Sequence, residues 1–326
     1  MFRFTVLKIL VASLVAVQSM LAAGQSGQGP YPSKPIKVLV GVPPGGSTDT
    51  ITRLFADWLQ GSMGQPGVVE NRPGANTAMA ADAVSRSAPD GYSLLLATDA
   101  FLTMPLLTKQ KFDPLKDFVP VGTVGLTHFV LAVHPSMPVN SVRELVTYSK
   151  SHPGQISYGS SGNAGTSHLG LEKFKLLTGA NMVHIPYRGA GPALTDAIAG
   201  QYQVSLWTPL TVAQQVKTGK LKALAVTGSK RVPLLPQVPT FAEAGLPAYD
   251  QKVWYAVFAP AGTPKPIVDR LNAEISKMLA SPKVRQKFED AGVEPLVSTP
   301  EQLASMMRSD TNELGKLIKS ANIKMD

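Results

Sequence analysis

Two stretches of this sequence concentrate the residue types that hold an anion. "VPPGGSTDT" (residues 42–50) directly follows the apolar run "IKVLV" (36–40), so prolines, glycines and small hydroxyls stand where a strand hands over to a helix. Gly45 and Gly46 let backbone approach a ligand closely and permit positive φ. Ser47 or Thr48 can cap the helix, leaving free N–H groups and a partial positive charge at its start. Pro44, Gly45, Gly46, Ser47, Thr48 and Asp49 therefore suit an anion such as a carboxylate. The stretch lacks the lysine of a phosphate loop, so Walker-type nucleotide binding is excluded. An ordinary strand-to-helix turn, with Asp49 offsetting the helix dipole, has the same composition.

The second stretch is "YGSSGNAGTSHLGLEKF" (158–174), again a strand, a Gly- and Ser-rich loop and a helix. Ser160, Ser161, Asn163, Gly165, Thr166 and Ser167 supply donors around that helix start. One such turn lies in each half of the chain. If two lobes face each other, the two helix starts meet across one cleft, and the geometry fits a ligand with two separated carboxylates. In "HIPYRGAGPAL" (184–194), Arg188 suits bidentate pairing with a carboxylate or, equally, capping a surface loop. Tyr187 offers a hydroxyl or a wall. Thr98, Asp99 and Ala100 end the apolar "YSLLLAT" and fall at the carboxyl end of a strand, where ligands of open sheets gather. Asp99 is an odd partner for an anion; it suits orienting a water or another residue, or binding a ligand amine.

Other chemistries find little support. The chain has no cysteine, which removes disulfides, thiolate catalysis and thiolate metal sites. The five histidines (His128, His134, His152, His168, His184) show no H-x-x-x-H or H-E-x-x-H spacing. "GSSGN" misses the last glycine of a nucleophile elbow, and His168 falls within the following helix, where surface or capping duty is the common role. No catalytic residue, metal or cofactor is expected.

The elements that position these loops read as α/β. From Ile36 onward, short apolar runs alternate with helical periodicity, such as Ile51, Leu54, Phe55, Trp58 and Leu59 on one helix face. Two such sets indicate two lobes with mostly parallel sheets, interwoven by crossovers that suit a hinge. "RVPLLPQVPTFAEAGLPAY" (231–249) reads as an extended segment draped over the surface or running between lobes. The C-terminal 70 or so residues read as amphipathic helices after the strand "WYAVFAP".

The N-terminus reads as a leader. Arg3 and Lys8 precede the apolar "ILVASLVAV", too short to span a bilayer, and small residues follow, with cleavage expected after Ala23. With no cysteine to acylate, a soluble exported protein is expected. Of the formal net charge of +9, Arg3 and Lys8 leave with the leader. The remaining basic balance hints at anionic partners, but export and scattered Lys and Arg argue against nucleic acid.

At these loops the chain closely resembles the Bug (TctC-like) family of periplasmic solute-binding receptors, associated with tripartite tricarboxylate transporters. The matching stretches are "YPSKPIKVLVGVPPGGSTD", "VVENRPGAN", "APDGYSLLLAT", "FDPLKDFVPVG", "YGSSGNAGTSHL", "HIPYRGAGPALTDAIAGQ", "GKLKALAVTGSKRVPLLPQVPTFAEAGLP" and "APAGTPKPIVDRLN". They run in family order from about Tyr31 to the C-terminus. The resemblance implies a type II periplasmic-binding-protein fold, two α/β lobes joined by crossover hinge strands and closing like a Venus flytrap. It implies a periplasmic, monomeric receptor for di- or tricarboxylates, acidic amino acids or aromatic carboxylates, served by one large and one small integral membrane subunit. In the family, loops matching 43–49 and 160–167 hold one carboxylate, with ordered waters. Trp207 and Thr208 depart from the family's usual Phe and Asp or Asn. An aromatic ligand becomes attractive if Trp207 lines the cleft, whereas a Trp207 buried within the lobe says nothing about the ligand. The extra Ala164 leaves the donors of its loop open. The expected organisation is a leader over 1–23, one lobe from 30–124 plus 251–326, and a second from 125–250. A receptor feeding a signalling system is the alternative, and an exported hydrolase a more distant one.

Overall fold

The computed structural model describes residues 31–324, so the expected leader lies outside them. Strand β1 (Ile36–Val40) feeds helix α1 (Ser47–Met63), which buries Ile51, Phe55 and Leu59 at one face and stops at Gly64 in the left-handed region. There follow β2 (Gly67–Asn71), α2 (Ala78–Ser85), β3 (Ser93–Thr98), a 3-10 turn (Asp99–Leu102) and the one-turn α3 (Met104–Leu107). Strand β4 (Phe118–His128) is continued after Phe129 by β5 (Val130–Val133). The chain then runs through α4 (Val142–Ser151), β6 (Ser157–Ser160), α5 (Thr166–Thr178), β7 (Val183–Pro186), α6 (Ala190–Ile198), β8 (Val204–Trp207), α7 (Pro209–Lys217) and β9 (Lys222–Val226). It returns in β10 (Lys252–Pro260) and ends with α8 (Lys265–Ala280), α9 (Pro282–Asp290), β11 (Val293–Glu294) and α10 (Pro300–Ser320).

Two sheets result. The first has the order β11-β4-β10-β3-β1-β2 and the second β7-β6-β8-β5-β9. The strands of the expected βαβ units pair parallel: β1 with β2 and β3, β6 with β7 and β8. The remaining pairings are antiparallel, so the sheets are mixed rather than mostly parallel. The reason is the double crossing. The outbound strand passes from one sheet to the other at Phe129, and β10 returns between β3 and β4, each entering its sheet against the direction of its neighbours.

The two crossings are tied together by Thr227. Its N–H donates to Phe129 O at 2.8 Å, its hydroxyl accepts from Phe129 N–H at 2.8 Å, and the hydroxyl also donates to Gln251 O. The proline-rich segment 231–249 is not merely draped. Phe241 and Tyr249 are buried in contact with Phe174, with ring centroids 6.2 and 5.6 Å away, because a loop carrying that much apolar surface gains more by burial than by exposure. Helix α10 opens with a capping box between Thr299 and Gln302. At its far end the carbonyl of Lys324 accepts from Asn163 Nδ2 in the second lobe at 3.2 Å. Among the described residues, no helix is long and apolar enough to cross a membrane.

Candidate functional site

The first anion turn is built by its own aspartate. Gly45 takes φ 95°, a conformation that favours glycine, and turns its N–H onto Asp49 Oδ2 at 3.0 Å. Arg53 grips the same carboxylate through Nε (2.9 Å) and Nη2 (3.0 Å), and Asn71 Nδ2 donates to it at 2.8 Å while bonding Val42 O at 3.0 Å. Burial acts to raise the Asp49 pKa, but the bonds from Arg53, Asn71 and Gly45 prevail and hold it below the usual carboxylate range. Asp49 is thus an ionised clamp facing into the lobe. Because Arg53 neutralises it, the positive end of α1 remains uncancelled. Glycine at the N-cap, Gly46, offers no side chain to the first turn of α1.

The second turn has the same design with a different brace. Helix α5 has Gly165 at its N-cap and again no side-chain cap. Ser167 Oγ accepts instead from the Ser161 N–H at 3.3 Å, outside the helix. The loop is held from beneath by stacked imidazoles, His168 and His184, whose centroids are 3.7 Å apart and whose planes are nearly parallel. His168 Nδ1 accepts from the N–H of Ala164, a non-glycine residue at φ 57°, at 2.8 Å. Ser160 Oγ donates to Gly162 O at 3.0 Å and lies 2.7 Å from His184 Nε2. Burial, with Lys175 adding to it, pulls His168 down to about 4. His184 falls to about 3, through burial first and then His168, with Lys175 also acting against Glu172. Both rings are therefore neutral at physiological pH, His168 accepting at Nδ1 and the His184 tautomer set by the Ser160 hydroxyl beside its Nε2.

Contacts between the lobes put these two turns on one gap. Ser47 Oγ of α1 and Thr208 Oγ1 of the second lobe share a hydrogen bond of 2.8 Å. Thr166 Oγ1, at the start of α5, donates to Asp99 Oδ1 of the first lobe at 3.4 Å. Asn76 Nδ2 donates to Asn163 O at 2.7 Å, and a methyl placed on Gly165 would lie 3.4 Å from Asn76 Oδ1. Gly189, the N-cap of α6, faces Pro43. Four helix starts (α1, α5, α6 and α7) thus rim the interlobe gap, a concentration of N–H dipoles that favours negative charge.

The expected residues divide into three groups. Gly45, Gly46, Ser47, Thr48, Asp99, Gly165 and Thr166 lie in the turns that meet at the gap, with Pro44 exposed beside them. Asp49, Thr98, Ser160, Ser161 and Ser167 brace those turns; Thr98 Oγ1 accepts from the Ala100 N–H at 3.4 Å. The side chains of Tyr187, Asn163 and Trp207 are engaged elsewhere. The Tyr187 hydroxyl is spent on Asp196 Oδ2 at 2.9 Å, and burial with that bond pushes its pKa up to about 12. The Asn163 side chain reaches the C-terminal tail, and Arg188 is exposed next to Gly189. Trp207 is packed with Val130, Tyr202 and Val212 in the second lobe's core, with its Nε1 buried and unpartnered. No cluster of three or more His, Asp or Glu among the described residues is placed to hold a metal.

Sequence reading missed two groups. Asn76 sits in a run of left-handed residues, Ala75 (φ 45°), Asn76 (47°) and Thr77 (76°), and such strain gathers at ligand sites. The "PGAN" turn was its only signal. Tyr255 sits in the middle of a buried strand and reads as core, yet Ser47 and the Asp99 charge both act on its hydroxyl. Nothing local reports that.

The sequence model described as the tripartite tricarboxylate transporter family receptor matches residues 51–323. Protein BugT of Bordetella pertussis (strain Tohama I) is 36% identical over 298 residues, covering 90% of this chain and 91% of that protein. Among solved structures, R. palustris Rpa4515 with adipate superposes with a TM-score of 0.85 at 33% identity, covering 90% of this chain and 99% of the other. MatC (Rpa3494) from Rhodopseudomonas palustris with bound malate gives 0.78 at 31%, covering 88% and 100%.

Proposed function

This chain belongs to the tripartite tricarboxylate transporter family of receptors, and we propose that it captures a small carboxylated solute between its lobes for a transporter of one large and one small membrane subunit. The chain is a solute-binding receptor, not an enzyme. The observation that supports the ligand class is the pair of uncapped helix starts, at Gly46 and Gly165, each next to a hydrogen bond between the lobes. A carboxylate there takes charge-assisted hydrogen bonds of about 1.5–3 kcal/mol each from N–H groups with no partner in the helix. Relatives solved with adipate and malate hold dicarboxylates, in keeping with such a site.

Lobe closure follows from differential affinity. Ligand oxygens bridge N–H groups of both lobes only when the gap is shut, so binding favours the shut state. The same reading includes export through a leader of residues 1–23, and lobes spanning 30–124 plus 251–326 and 125–250. Thermal-shift measurements on the mature protein with mono-, di- and aromatic carboxylates test the reading. A rise in melting temperature that grows with the concentration of one class is expected. No shift with any carboxylate would overturn it.

A further inference from the structure

Asn163, in the second turn, is gripped by the first lobe at both ends. Its backbone carbonyl accepts from Asn76 Nδ2 at 2.7 Å, and its own Nδ2 donates to Lys324 O at 3.2 Å. The two partners come from distant parts of the chain, and each is itself held in place. Asn76 lies within the left-handed run of residues 75–77, with Met104 Sδ 3.8 Å from its Nδ2. That run is backed by Gly41, which leaves no room for a Cβ beside Thr77. Lys324 follows α10, which stops at Asn322 (φ 51°) while the Ile323 N–H turns back to Ile318 O at 3.0 Å. The turn brings the tail to the second lobe, where the Lys324 carbonyl meets Asn163.

Asn163 matters through the residues joined to it. The Gly165 N–H donates to Gly162 O at 3.2 Å and closes the loop around it, and Gly165 is the N-cap of α5. Ala164, at φ 57°, is pinned from within its own lobe by His168. Fixing Asn163 therefore fixes where the N–H groups at the start of α5 point. Both of its bonds to the first lobe need the lobes together, and both are lost when they part.

We propose that Asn163 is a positioning residue: Asn76 and the C-terminal tail clasp it, and so set the second helix start for its ligand only in the shut state. The inference rests on lobe closure as read above and concerns the clasp, not the ligand class. Its two bonds differ in strength. The Asn76 bond is short and partly buried, whereas the tail bond is longer and exposed, so water competes for it.

The test is made on the mature protein without ligand. The chain has no cysteine, so Gln60→Cys on α1 and Arg143→Cys on α4, both exposed, carry one spin label in each lobe. Double electron–electron resonance reads the distance between lobes, and hydrogen exchange reads the amides of residues 164–167. Three changes are compared: Asn76→Gly, which keeps the left-handed backbone and removes the clasp; Asn163→Ala; and deletion of residues 322–326. Asn76→Gly should raise the ratio of open to shut molecules about fivefold, and either tail change about twofold. Asn163→Ala and the deletion remove the same bond, so together they should do no more than one alone, while Asn76→Gly should add to both. Exchange at 164–167 should quicken in the same order. If Asn76→Gly does not fold, the tail pair still decides. Unchanged distances with unchanged exchange, a wild-type protein found only open, or full additivity of the two tail changes overturns the clasp and leaves the carboxylate reading standing. A flat thermal-shift screen overturns that reading and leaves the clasp standing.

Discussion

Ser47 Oγ and Thr208 Oγ1 sit 2.8 Å apart, and each belongs to a different lobe. The bond does two jobs. It helps hold the lobes together without a ligand, and it orients the first residue of α1 beneath its uncapped end. Thr208 also bonds Thr211 at 2.9 Å, so the hydroxyl is fixed from the second lobe as well.

Replacing Thr208 with valine keeps shape and removes the bridge. A net loss of about 1 kcal/mol is expected for the shut state, seen as a three- to tenfold weaker ligand affinity. The radius of gyration of the ligand-free protein, from small-angle scattering, should grow. Unchanged affinity and radius would mean the bond contributes nothing to closure.

The two glycines of the first turn make different predictions. Gly46 has φ −86°, and a Cβ there meets no atom within 4 Å. Gly46→Ala should therefore melt like wild type yet bind ligand far more weakly, because the methyl takes the space above the helix start. Gly45 is at φ 95°, so Gly45→Ala should cost about 1 kcal/mol of stability through backbone strain. Comparing melting curves and titrations for the pair separates ligand space from conformation.

Asp49 should behave as a brace. Asp49→Ala strands the Gly45 N–H and frees Arg53 and Asn71, at a cost of about 1–3 kcal/mol in chemical denaturation. Arg53→Gln removes only the exposed half of the pair and should cost much less. If Asp49→Ala lowers affinity with no loss of stability, the carboxylate touches ligand after all.

The histidine stack predicts acid sensitivity. An unfolded chain takes up a proton on each imidazole as pH falls through 6.5, whereas the folded chain refuses until about 4 at His168 and 3 at His184. Their contribution is complete above 6.5 and is lost progressively as pH drops toward 4. The raised carboxyls of Asp99 and Asp310 act in the opposite sense, gaining protons on folding. The decisive measurement is thus a difference. Melting temperature should fall more steeply between pH 6.5 and 4 in wild type than in His184→Gln, and parallel curves would refute the account.

Much of this was legible in one dimension. The period of apolar residues fixes which face of α1 is buried, because spacing within an element reports directly on its geometry. The sequence "GGST" after an apolar strand marks a helix start, but the cap expected from Ser47 or Thr48 is not made: the helix begins at Ser47, and the N-cap falls to Gly46, which has no oxygen to give. The absence of cysteine and of paired histidines likewise limits the chemistry without any fold. What the tertiary structure alone decided is which neighbours in these loops look outward. Asp49 turns inward because Arg53, Asn71 and Gly45 converge on it, and Trp207 packs into the second lobe beside Tyr202 and Val130. Asn76 and Tyr255 join the gap only because the chain crosses twice between sheets, at Phe129 and Gln251. Approach across that gap is set by long-range strand pairing, to which no local spacing is sensitive.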